Sequence, residues 1–83
     1  MTVTFELSYY PLRDNYPEAV LALLDDLRKL EGISMETNGM STILIGEFDR
    51  IWSVLGDLAN YRLEIEDAVI VLKVAPGRRE YLE

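Results

Sequence analysis

The sequence contains neither cysteine nor histidine. Without thiols there is no disulfide framework, no thiolate metal site and no cysteine nucleophile. Without imidazole, Ser-His triads, histidine acid-base chemistry and most transition-metal sites are excluded too. A carboxylate site for magnesium or calcium would remain, but no recognisable calcium loop is present. Basic residues are also few: eight Lys and Arg against fifteen Asp and Glu leave a net charge of -7. Scattered cations cannot form the stripe that displaces phosphate counterions, so nucleic acid is excluded as a partner, while a cationic ligand is compatible. No apolar run approaches the ~18 residues of a membrane span. Residues 1–6 lack the basic and apolar regions of a signal peptide. Together these absences predict a cytoplasmic protein with no membrane partner.

What is present suits one small globular domain. The chain has 83 residues, 49% hydrophobic and 28% charged, with no internal repeat or break in composition. That size buries only about 60% of the unfolded surface, so stability is expected to be thin without a partner. The domain is expected over residues 1–75, followed by a short charged tail over residues 76–83 in which Pro76-Gly77 breaks the last strand.

Alternation of Val3, Phe5, Leu7 and Tyr9 against Thr4, Glu6, Ser8 and Tyr10 predicts a first strand over residues 2–10, ended by Pro11. Asn15 with Glu18 has the form of a capping box, and Pro17 falls in the first turn. Tyr16, Val20, Leu23, Leu24, Leu27 and Leu30 then recur at helical spacing, with Gly32 as a left-handed C-cap. Residues 33–38 read as a second strand, and Asn38-Gly39 as a two-residue hairpin into a third over residues 40–47. Asp49 is expected to cap a second helix with Ile51, Val54, Leu55 and Leu58 on its apolar face, ending near Asn60. A polar connection over residues 61–67 leads to a fourth strand over residues 68–74. The order βαββαβ predicts a ferredoxin-like α+β fold, a four-stranded antiparallel sheet with two helices on one face.

Two helices cover one face of such a sheet, and the third strand is apolar on both. If Ile43 and Ile45 join Phe5 and Leu7 beneath the helices, the open face carries Thr4, Glu6, Ser8, Tyr10, Glu36, Asn38, Met40, Thr42 and Leu44. The fourth strand adds either Val69 and Val71 or Ile70, Leu72 and Val74. An apolar surface of that kind marks an association site, so sheet-on-sheet packing of subunits is expected. Inside such an interface, Glu6 would need a cation, donors or a proton, which makes it a site candidate. The plain alternative is a structural ion pair. Tyr9 and Tyr10 offer ring faces, and Ser41 and Thr42 offer hydroxyls, although each also suits ordinary strand packing. Trp52 falls beside the apolar stripe of its helix and is expected to make a packing contact.

Three stretches carry a family resemblance. Tyr10-Pro11-Leu12 ends the first strand; Glu36-Thr37 and then Met40-Ser41-Thr42-Ile43-Leu44-Ile45-Gly46 cover the hairpin; Phe48-Asp49-Arg50-Ile51-Trp52 starts the second helix. In order and spacing these resemble the YkoF-like family of thiamine and hydroxymethylpyrimidine binding proteins, over roughly residues 5–58. The resemblance implies a ferredoxin-like domain that associates through its sheets, here as a homodimer or homotetramer of single domains. It also implies a thiamine or hydroxymethylpyrimidine ligand, with Glu6, Ser8, Tyr10, Glu36, Asn38, Ser41 and Thr42 as candidate contacts.

The leading expectation is therefore a non-enzymatic binder working in vitamin uptake or salvage, with no cofactor. The chemistry is consistent, because an aminopyrimidine matches Ser, Thr and Asn groups and a thiazolium cation matches Glu6 or Glu36. A structural or regulatory module, whose sheet face serves assembly alone, is the second class. A cofactor-free enzyme is the third, and a chain without His or Cys gives it few groups.

Overall fold

The computed structural model describes residues 1–14 and 16–80. The elements are β1 (Thr2–Pro11), α1 (Tyr16–Arg28), β2 (Ser34–Thr37), β3 (Thr42–Glu47), α2 (Phe48–Ile65) and β4 (Ala68–Pro76). The four strands form one antiparallel sheet in the order β2-β3-β1-β4. This is the ferredoxin-like arrangement that the sequence order predicts. The expected capping box rests on Asn15, which lies outside the described residues, as do residues 81–83 of the tail.

The alternation in β1 decides the core. Val3, Phe5 and Leu7 face both helices and close on Leu23 and Leu27 of α1, Ile51 and Leu55 of α2, and Leu44 of β3. Directly opposed residues in an antiparallel pair share a face. Phe5 opposes Leu44 and Leu7 opposes Thr42, whereas Glu6 opposes Ile43 and Thr4 opposes Ile45.

The expected orientation of β3 is therefore reversed. Leu44 and Thr42 lie beneath the helices, and Ile43 and Ile45 lie on the open face with Glu6. The physical reason is space at Gly46, which shares the helix face with Leu44. A Cβ there would stand 3.3 Å from the Gly32 carbonyl oxygen and 3.4 Å from Ile51 Cδ1. Helix α2 follows β3 without a loop and crowds the strand end, so the residue without a side chain fits best against it. The same register assigns Val69 and Val71 of β4 to the open face, opposite Tyr10 and Ser8, and Ile70, Leu72 and Val74 to the helix face.

Other boundaries move for local reasons. The β2–β3 connection is a four-residue turn with Thr37 opposite Thr42, not a two-residue hairpin. Asn38 Oδ1 accepts the amides of Met40 at 2.7 Å and Ser41 at 3.1 Å, so the asparagine closes the turn with its side chain. Asp49 does not cap α2; the N-cap is Glu47, with no side-chain cap bond. The Phe48 amide instead donates to the Met1 carbonyl at 2.9 Å. Helix α2 also continues past Asn60 through the segment expected to be a polar connection, because Arg62 is drawn into the interior.

Part of the open face is covered by the chain itself. Gly77, at φ +74, turns the backbone back after Pro76. The Thr4 hydroxyl donates to the Gly77 carbonyl at 2.8 Å and accepts the Arg79 amide at 2.8 Å. Glu80 borders a hollow together with Glu36, Ile43 and Ile45. Thr4 and Ile45 are consequently buried although they lie away from the helices. The cover stops there, and Tyr10, Val69 and Val71 remain exposed.

Candidate functional site

The β2–β3 turn, the far end of β1 and the first turns of α1 enclose a cavity of about 260 Å³. Its walls include Tyr9, Tyr16 and Leu24 on the apolar side and Asn38, Ser41 and Thr42 on the polar side, with Tyr10 at its margin. The position follows from the sequence. Helix α1 begins at Tyr16, close to the end of β1, so its first turns stand beside the strand. The turn held by Asn38 then brings the three small polar groups of Asn38, Ser41 and Thr42 toward the same space.

Ser41 links this cavity to the open face. Its hydroxyl donates to Glu6 Oε2 at 2.9 Å, while Lys73 Nζ lies 3.5 Å from Glu6 Oε1. The cation that Glu6 was expected to find thus comes from its own chain. The pair is weak, because the Lys73 side chain is 77% exposed and its charge is well hydrated. Thr42 lies on the helix side, where its hydroxyl shares a 2.8 Å hydrogen bond with Thr37.

The seven sequence candidates therefore separate into two groups. Asn38, Ser41, Thr42 and Tyr10 meet at the cavity. Glu6, Ser8 and Glu36 lie on the open face, by their opposition to Lys73, Val71 and Ile43. Ser41 belongs to both groups. Trp52 is a packing contact, as expected: its ring stacks on Phe48 at 6.0 Å and lies 6.1 Å from Phe5.

Sequence reasoning missed a polar cluster next to the cavity. The Tyr9 hydroxyl donates to Glu66 Oε2 at 2.6 Å, and Arg13 Nε lies 2.8 Å from Glu66 Oε1. Glu66 sits just past the end of α2 with a side chain only 8% exposed, in a segment whose composition reads as solvated. No short-range signal pairs it with a tyrosine 57 positions away. Burial and the neighbouring Glu66 carboxylate push the Tyr9 phenol up to about 12. Because the folded value exceeds the unfolded one of 10.0, the associated stability is present below pH ~10 and is lost as pH rises toward ~12. Ultraviolet titration should show one phenolate forming near pH 12, and Tyr9→Phe should remove that step.

Among the described residues there is no cluster of acidic groups able to hold a metal ion, and no helix long and apolar enough to cross a membrane. Fold and site together define a small ferredoxin-like α+β domain with a neutral cavity at one end of its sheet. No family model matches the sequence, and no curated protein matches it. Solved structures do match. A Thermotoga maritima protein, provisionally described as acting in thiamine biosynthesis or salvage, is similar at 20% identity, covering 93% of this chain and 85% of its own, with a TM-score of 0.81. A Streptococcus pneumoniae protein is similar at 22% identity, covering 94% and 89%, with a TM-score of 0.81. A hypothetical protein from Methanocaldococcus jannascii is similar at 25% identity, covering 96% and 84%, with a TM-score of 0.77. These likenesses establish the fold over nearly the whole chain.

Proposed function

We propose that the protein binds thiamine or its hydroxymethylpyrimidine moiety without catalysing a reaction, as a cytoplasmic homo-oligomer packed through its sheet faces, in vitamin uptake or salvage. The observation that carries this reading is the cavity wall of Asn38, Ser41 and Thr42. These three supply donors and acceptors without a formal charge, as a flat aminopyrimidine requires. At about 260 Å³ the space lies near the lower end of small-molecule sites, which suits a ligand of one ring. Tyr9 and Tyr16 offer ring surfaces beside it. Glu6 stands beyond Ser41, where a thiazolium attached to the pyrimidine would displace the loosely held Lys73 ammonium. The thiamine description of the Thermotoga maritima structure points the same way.

Glu6 and the exposed Val69 and Val71 favour a second reading, in which the open face serves assembly alone. On this reading the ion pair with Lys73 is structural. Titration calorimetry with hydroxymethylpyrimidine and thiamine separates the two. Binding in the micromolar range, roughly -8 kcal/mol, is expected. Ser41→Ala should weaken it about tenfold by removing one hydrogen bond of ~1.4 kcal/mol. An absence of heat at millimolar ligand would leave the assembly reading standing.

A further inference from the structure

Strand β4 is an edge strand with an unusual profile. The ladder that ties it to β1 fixes which of its backbone groups are spare. Gly77 donates to the Thr2 carbonyl and Leu12 donates to the Asp67 carbonyl, and the register between them runs without a bulge. Antiparallel bonding alternates, so Val69, Val71, Lys73 and Ala75 bond to β1. The amides and carbonyls of Ala68, Ile70, Leu72 and Val74 therefore point away from the sheet.

This row is bordered by apolar side chains on both faces. Val69 and Val71 are 47% and 43% exposed on the open face, and Leu72 and Val74 are 37% and 48% exposed on the helix face. Edge strands are ordinarily kept short or guarded by outward charges. The opposite edge of this sheet follows that rule, since β2 has four residues, Ser-Met-Glu-Thr. On β4 the one charge, Lys73, is turned along the open face toward Glu6. The one proline, Pro76, stands at the strand's end.

We propose that the free edge of β4 pairs antiparallel with β4 of a second copy of this chain, about a two-fold axis at Leu72, so that the two sheets become one. The strand is complementary to itself in that register. Leu72 meets its own copy, Ile70 meets Val74, and Ala68 meets Pro76, whose missing N–H closes the bonded segment at both ends. On the open face Val71 would oppose Lys73 and Val69 would oppose Ala75. Charge favours this occupant: the nine residues of β4 carry no carboxylate, in a chain with fifteen acidic residues. Two copies of net charge -7 can thus meet here without opposing acid to acid. The joined strip is about 30 Å long, and the dimer should dissociate on dilution. This contact is separate from the sheet-face packing under Proposed function and stands whether or not a ligand binds.

Amide hydrogen exchange on the full chain, read beside light scattering, tests the proposal. At high concentration the outward amides of Ile70, Leu72 and Val74 should exchange at least an order of magnitude more slowly than in dilute solution. Those of Val71 and Lys73, held by β1, should not respond to concentration. Leu72→Pro deletes the amide at the axis and is tolerated where that amide faces outward. It should give a monomer whose Val71 and Lys73 amides stay protected. Val74→Lys, at an exposed position, should dissociate the pair in the same way should the proline variant not fold. A dimer in which the amides of Ile70, Leu72 and Val74 exchange freely, a chain that stays monomeric at millimolar concentration, or a Val74→Lys variant that remains paired would each overturn it.

Discussion

Leu44→Ala should be among the most damaging single substitutions in this chain, whereas Ile43→Ala, one residue away, should be among the mildest made at a branched strand residue. Leu44 is fully enclosed between Phe5 and the helices. Truncating a buried leucine removes its transfer free energy and leaves a void, at a cost of about 3 kcal/mol within the 2–5 usual for such sites. Ile43 is only partly buried and stands on the open face, so its loss should cost less than about 1 kcal/mol. A domain of this size converts each kcal/mol into roughly 4–8 °C of melting temperature. The two variants should therefore separate by more than ~8 °C in a thermal melt, with Leu44→Ala the lower. A larger fall for Ile43→Ala would mean that the strand is turned over and that Gly46 does not face α2.

The same pair of residues shows how far the sequence could be read. Period-two alternation in β1 was clean enough to place Val3, Phe5 and Leu7 inside, and helical spacing found Leu23, Leu27, Ile51 and Leu55. From these alone the fold follows, because element order and faces leave few arrangements open. β3 offers no such alternation, since Ile43, Leu44 and Ile45 are all apolar. Its orientation depends on Gly46, whose role appears only when α2 is in place. Long-range contacts were illegible for a related reason. Nothing near Thr4 announces that Gly77 and Arg79 will fold over it, and nothing near Tyr9 announces Glu66.

The candidate site was legible in its residues but not in its geometry. Asn38, Ser41 and Thr42 stood out as small polar groups around a turn, and the structure does gather them. Their common space is on the helix side of the sheet end, however, because Thr42 follows the parity of Leu44. Glu6, read as a site candidate or a structural ion pair, lies on the other face and is joined to this space by the Ser41 hydroxyl. One consequence is that residues from α1, β1 and the β2–β3 turn of a single chain line the cavity together.

The second large effect concerns Arg62. This residue lies in the last turn of α2, 9% exposed, and is paired with Asp26 of α1, while its Nε has no hydrogen-bond partner among the described residues. A guanidinium so placed has lost most of its hydration; Asp26 is its charged partner, and the Tyr61 ring lies 5.5 Å from it. Asp26→Ala should therefore destabilise the fold by about 2 kcal/mol, below the 3–5 of a fully buried pair because the Asp26 side chain is 32% exposed. Arg62→Met should cost less than about 1 kcal/mol, since its long apolar chain fills the same space and the remaining carboxylate can hydrate. In the Arg62→Met background, Asp26→Ala should lose most of its effect, giving a coupling of at least ~1 kcal/mol in a double-mutant cycle followed by urea denaturation. Additive losses would show instead that water reaches the guanidinium and that the two helices are held by their leucines alone.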